Sequence, residues 1–331
     1  GQIDIKNEAK LVTAGIASPA LLAQSIGGGG GYLTVSTSPH FIFNGSTGEG
    51  LSISGNIDVE NSESIETLGT GSQTLIAQSI AGGGGFIGDA GTTDSGISKV
   101  VLGSSGSNDG GILLRVQNRE TIWNDFLATN PDWKSIDFIS SAWAAPAGTN
   151  NNLPNIGGIT QAGNVNVVSR GESLTARSDN SSVILTQSIG GGGGWALLEN
   201  GSEYSVLGSS ATLNGIAGSV TVDNSSNLLS LGKNSPALIA QSIGGGGGAT
   251  GDAKLYTRLG KLSGRGTSTG NRIDVSHEGD ISTAGNYSSA VLLQSIGGGG
   301  GLAGDVEGSA GLGSRLNKIA SDHSSDDIVL D

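Results

Sequence analysis

Short runs of alternating apolar and polar residues recur along this chain, each closed by Gly, Asn or Ser. Ile3-Asp4-Ile5, Leu11-Val12-Thr13 and Pro19-Ala20-Leu21-Leu22-Ala23-Gln24 form one set. Val165-Asn166-Val167, Ser173-Leu174-Thr175 and Ser182-Val183-Ile184-Leu185-Thr186-Gln187 form another. Ile273-Asp274-Val275, Gly279-Asp280-Ile281-Ser282-Thr283 and Ser289-Ala290-Val291-Leu292-Leu293-Gln294 form a third. A period of two over a few residues, bounded by turn chemistry, predicts β-strands. No segment of the regular pattern has a helical period.

The sets belong to a repeat. The word QSIGGGGG stands at 24–31, 187–194, 241–248 and 294–301, and QSIAGGGG at 78–85. The glutamines, at 24, 78, 187, 241 and 294, are spaced by 54, 109, 54 and 53 residues. The long gap reads as two periods. Lys134-Ser135-Ile136 falls where the missing word is expected, with Asp137 to Trp143 in place of glycines. A fixed period with near-identical words predicts a solenoid, because equivalent positions then meet equivalent surroundings. At roughly 18–27 residues per turn, one repeat would hold two or three turns. A propeller is the runner-up, but its blade signatures are missing. The expected organisation is one continuous solenoid: repeats over 1–104, a diverged, aromatic-rich repeat or insertion over 105–160, and repeats over 161–331. With 4% aromatic residues, its core must be narrow and aliphatic.

Five glycines in a row are costly to order. Their length is nevertheless constant, with Ala81 substituting inside it, and loops normally tolerate insertion. The tracts are therefore expected to be ordered, and Gly246→Val to destabilise. With two or three turns per repeat, equivalent tracts would lie about 10–14 Å apart and would not touch. Each would pack on a neighbouring turn of its own repeat. Gln24, Gln78, Gln187, Gln241 and Gln294 are expected to bond exposed backbone groups there, or else to face solvent.

Composition narrows the function classes. The 331 residues include 60 Gly and no Cys, so no disulfide framework exists. The formal net charge is −13, from 16 Lys+Arg against 29 Asp+Glu. That balance supplies no basic patch for nucleic acid. Charged residues are only 14%, which does not fit charge-rich disorder. No apolar run reaches membrane-spanning length, and no signal peptide is visible. Both ends look cut from the middle of a pattern, so the chain reads as a piece of a longer protein.

The phrase Ser235-Pro236-Ala237-Leu238-Ile239-Ala240-Gln241-Ser242-Ile243 followed by five glycines closely resembles the repeats of large bacterial autotransporter passenger domains. Gly279-Asp280-Ile281-Ser282-Thr283-Ala284-Gly285 looks like the same family's alternate turn. The resemblance covers most of the chain and departs from it over 105–160. It implies a right-handed parallel β-helix, secreted or displayed at the bacterial surface through a C-terminal outer-membrane barrel that these residues lack. It also implies an adhesive or structural surface role.

Candidate chemistry is sparse. Trp123, Trp133 and Trp143, with Phe126 and Phe138, crowd one short stretch. Ile122, Phe126 and Leu127, then Trp133, Ile136 and Ser140, have the spacing of two short amphipathic helices, started by Asn118 and by Asn130-Pro131. Such rings more often pack an insertion onto its scaffold. The functional alternative is a platform for a sugar or a partner protein. Asp89, Asp252 and Asp305 each follow a glycine near a tract and resemble a calcium nonapeptide, but calcium needs about six to eight oxygens. Gly-Asp is equally ordinary turn chemistry. Gly266 to Gly270 matches Gly-x-Ser-x-Gly without a strand–turn–helix context. His40, His277 and His323 lack metal-ligand spacing. Arg115 and Arg119 beside Asp125 are the nearest approach to a polysaccharide-cleaving site.

The expected function is therefore attachment to cells or surfaces by a rigid, non-enzymatic rod, through multivalent contact. Host-cell or surface glycans or proteins would be its partners, and no cofactor is needed. Self-association of the same solenoid, and a β-helical polysaccharide-degrading enzyme, are the alternatives.

Overall fold

The computed structural model describes residues 1–35, 41–46, 52–90, 99–104, 159–197, 204–208, 214–251, 256–260, 268–304, 309–312, 323–324 and 328–330. Every regular element among them is a strand, and the strands stack as a parallel β-helix of six sheets. Sheet A contains β1 (Ile3–Asn7), β7 (Ile57–Asn61), β13 (Val165–Ser169), β19 (Val220–Asn224), β25 (Ile273–His277) and β31 (Ile328–Leu330). Sheet B contains β2 (Leu11–Thr13), β8 (Ile65–Thr67), β14 (Ser173–Ala176), β20 (Asn227–Ser230) and β26 (Ile281–Thr283). Sheet C contains β3 (Leu21–Ile26), β9 (Leu75–Ile80), β15 (Ile184–Ile189), β21 (Leu238–Ile243) and β27 (Val291–Ile296). Sheet D contains β4 (Gly30–Val35), β10 (Gly84–Ala90), β16 (Gly193–Ala196), β22 (Gly247–Thr250) and β28 (Gly300–Leu302). Sheet E contains β5 (Phe41–Ser46), β11 (Lys99–Ser104), β17 (Tyr204–Leu207), β23 (Tyr256–Leu259) and β29 (Ser309–Leu312). Sheet F contains β6 (Ser52–Ile53), β12 (Ile159–Gln161), β18 (Asn214–Ile216), β24 (Ser268–Thr269) and β30 (His323–Ser324).

One repeat is thus one coil, because Ile3 pairs with Ile57 and Gln24 with Gln78. The expectation of two or three turns per repeat is corrected. The reason is layering. Sheets A and B close on one face of sheet C, where Ile57, Val59, Ile65, Leu75 and Ala77 meet. The opposite face of sheet C, carrying Ile76, Leu185 and Ile239, is covered by Phe86, Trp195 and Ala249 of sheet D. Strands β9, β15 and β21 are buried at all six positions. Sheet D is walled in likewise: the consecutive residues Phe86 and Ile87 are both fully buried, although they point to opposite faces. Sheet E lies beside it, tied by Asn44 Nδ2 donating to the Gly31 carbonyl at 2.9 Å. A coil that covers its central strand twice needs far more chain than a simple prism.

The second expectation to fall is the degenerate copy at Lys134-Ser135-Ile136. Strand β9 pairs directly with β15, and β7 with β13, across the long gap. No coil of the described stack comes from that stretch. Residues 105–158 instead separate β11 from β12, where residues 47–51, 208–213, 260–267 and 313–322 make the same connection in the other coils. The stretch happens to be as long as the period. Its predicted helices, and the diverged segment as a whole, lie outside the described residues.

Candidate functional site: the glycine tracts, the polar columns and the outer faces

The tracts are ordered, and they sit at the corner between sheets C and D. Gly192, Gly193 and Gly194 have φ of 83°, 133° and 135°, and Gly246, Gly247 and Gly248 have 86°, 139° and 132°. These values favour glycine strongly. Space is the second requirement. A Cβ on Gly193 would lie 1.8 Å from the Gly247 carbonyl oxygen, and one on Gly194 would lie 2.0 Å from that of Gly85. Adjacent tracts therefore pair with each other, Gly84 with both Gly30 and Gly193. The expectation that they stand too far apart to touch is corrected, because equivalent residues are one rung apart. The expected close approach of another backbone holds, and two further segments share it. Sheet F backbone packs on the first tract position: a Cβ on Gly190 would come within 2.6 Å of Ile216 N. Sheet E brings a glycine column of its own, Gly45, Gly103, Gly208 and Gly260, in which a Cβ on Gly103 would lie 2.0 Å from Gly208 O.

The glutamines do more than bond nearby backbone. Each Nε2 donates to the next Oε1: Gln24 to Gln78 at 2.7 Å, Gln78 to Gln187 at 2.5 Å, Gln187 to Gln241 at 2.6 Å and Gln241 to Gln294 at 2.7 Å. Gln241 and Gln294 also reach the Gly248 and Gly301 carbonyls at 3.4 Å. The solvent-facing alternative is excluded for Gln78, Gln187 and Gln241, which are fully buried. An amide has a donor and an acceptor end, so a column of identical amides satisfies itself.

Two serine columns repeat the device. The backbone N–H groups of Ser18, Ser72, Ser181 and Ser235 each donate to the hydroxyl of the next serine in the column, ending on Ser288. Ser79, Ser188 and Ser242 donate to the Gly55, Gly163 and Gly218 carbonyls, tying sheet C to the corner between sheets F and A. Tyr32, Phe86 and Trp195 stack along sheet D with ring centroids 5.1 and 4.7 Å apart. Trp195, the one described tryptophan, is a core residue. Sequence reasoning did not pick out the serine and sheet E glycine columns. The signal was there, as Leu102-Gly103, Leu207-Gly208 and Leu259-Gly260 at equivalent places.

The outer faces are polar and laced with ion pairs between and along coils. Arg170 pairs with Asp223 and holds its carboxyl below the usual carboxylate range. Arg177 pairs with Glu66, and Arg272 with Asp274. Val12, Ile16, Leu68, Leu231 and Tyr287 are exposed around sheet B and the turn after it. Tyr287 holds φ of 60°, where the preceding coils place Ala17, Gly71, Asn180 and Asn234.

Trp123, Trp133, Trp143, Phe126 and Phe138 lie outside the described residues, as do Arg115, Arg119 and Asp125. So do Asp252 and Asp305, while the backbone of Asp89 belongs to β10. The structure therefore brings together the five glutamines and none of the aromatic candidates. Among the described residues no group of three or more His, Asp or Glu is placed to hold a metal ion. No protein-family model, curated protein or solved structure matches the chain.

Proposed function

We propose that this chain is a rod-like surface segment of a secreted autotransporter passenger, which attaches to cells or surfaces by repeated contact. The observation that carries the reading is the one-coil repeat. Every coil adds a strand to each of the six sheets, about 4.8 Å of rod, and sets an outward strand face at the same place again, although its side chains differ, as with Lys6, Glu60, Val168, Asp223 and Ser276 in register on sheet A. Repeated faces on a stiff support favour multivalent binding. The buried glutamines and the Ser72, Ser181 and Ser235 column bond from coil to coil, which is the chemistry of a support. The likeness of QSIGGGGG and its surroundings to autotransporter repeats supports the secretion route, through a barrel elsewhere in the longer protein. The aromatic-rich stretch at 105–158 follows β11 and precedes β12 in the chain, and it is the proposed partner-contact region.

The test is to couple the purified chain to beads and measure adhesion to host cells and to glycan arrays, with Trp133→Ala beside the parent. Specific binding that is lost in Trp133→Ala, with the circular dichroism spectrum kept, supports the reading. Bead clustering without any second cell type makes self-association the function. Release of oligosaccharides from an acidic polysaccharide makes it an enzyme.

A further inference from the structure

Every sheet A strand of the five complete coils ends on a polar residue: Asn7, Asn61, Ser169, Asn224 and His277, in register. The three asparagines each donate Nδ2 to a carbonyl two residues on, that of Ala9, Glu63 or Ser226. Asn7 Nδ2 also reaches Asn61 Oδ1 at 2.7 Å. The column thus closes the corner between sheets A and B and links coils. At the fifth coil a titratable ring replaces the amide. His277 Nδ1 lies 2.8 Å from Asn224 Nδ2, and its Nε2 is buried without a partner.

We propose that His277 is a pH-sensitive joint, at which protonation breaks the column and loosens the fifth coil from the fourth. Asn224 Nδ2 already donates to the Ser226 carbonyl, so it meets Nδ1 as a donor. Neutral Nδ1 accepts that bond and the proton sits on Nε2. A second proton on Nδ1 would set donor against donor at Asn224 and place a charge in a half-buried site where the Gly279 backbone is the one acceptor the ring has. Turning the Asn224 amide would repair that contact only by giving up the Ser226 bond. Of the charged groups around the ring, Asp223 precedes Asn224 on the other face of β19 and is engaged by Arg170. Glu278 and Asp280 in the following turn, and Glu172 below, are exposed. Asp331, after β31, lies outside the described residues. Burial pushes the His277 pKa below its ordinary 6.5, and a bond to the Gly279 backbone opposes this. A depressed histidine contributes stability that is present above its ordinary value and lost as pH falls below it.

The experiment is hydrogen–deuterium exchange of the parent and His277→Asn at about pH 7.5 and about pH 5.5, on either side of the ordinary histidine value, corrected for intrinsic rates. The substitution restores the residue used at 7, 61 and 224. The parent's β25 and β26 amides are expected to exchange several-fold faster at the lower pH, and those of the variant to be unaffected. Parent and variant responding alike would overturn the proposal. If the variant does not fold, an NMR titration of the parent's His277 ring decides: a value below the ordinary one supports the joint, and one at or above it refutes it.

Discussion

Two alanine substitutions separate the conformational and the steric demands on the tracts. Gly31 and Gly194 are equivalent positions, with φ of 150° and 135°. A Cβ on Gly31 meets nothing within 4 Å, whereas one on Gly194 lies 2.0 Å from Gly85 O and 2.9 Å from Gly85 C. Gly31→Ala therefore isolates the backbone strain, about 1–3 kcal/mol. Gly194→Ala adds a collision with main chain that no rotamer change relieves. The Gly85 carbonyl would have to retreat about 1.4 Å to reach ordinary contact at 3.4 Å. Overpacking of that kind costs roughly 1–3 kcal/mol, and each rung hydrogen bond lost adds about 1 kcal/mol. The expected loss is about 3–7 kcal/mol for Gly194→Ala against about 1–3 kcal/mol for Gly31→Ala. Urea unfolding followed by far-UV circular dichroism reads both. Equal losses, or an unchanged Gly194→Ala, would refute the close-approach argument.

Gln187→Ala should cost about 3–5 kcal/mol, because it opens a cavity and leaves Gln78 Nε2 and Gln241 Oε1 buried and unpaired; Gln24→Ala, at a half-buried end of the column, should cost clearly less by the same urea assay. Tyr287→Asn should stabilise, since relieving φ of 60° gains about 1–2 kcal/mol and exceeds the roughly 0.5 kcal/mol of an exposed Lys233 ammonium 5.9 Å from the ring. A lower urea midpoint in that variant would count against the strain. Gly246→Val should destabilise, with φ of 86° and a Cβ only 2.7 Å from Gly191 O; an unchanged midpoint would return that tract to a loop.

What the sequence determined by itself is what repeats and what is local. Alternation in Ile57-Asp58-Val59 and its equivalents marks strands, because side chains on a strand take opposite faces. Recurrence of one word marks a stack, and a tract of constant length marks order. The number of turns in a repeat is not local, since it depends on how often the chain folds back to cover sheet C. Burial of Leu75, Ile76 and Ala77 in succession is the trace of that double cover, but a short apolar run does not say what lies on either side of it. Only the tertiary structure decided that the 109-residue separation of Gln78 and Gln187 is a single rung interval, because strand pairing, and not length, sets register. It alone showed that each glutamine's partner is the next glutamine and that each tract's neighbour is the next tract. In a parallel stack every residue's closest contact is its own counterpart a full coil away, a relation that appears only once the coil has closed.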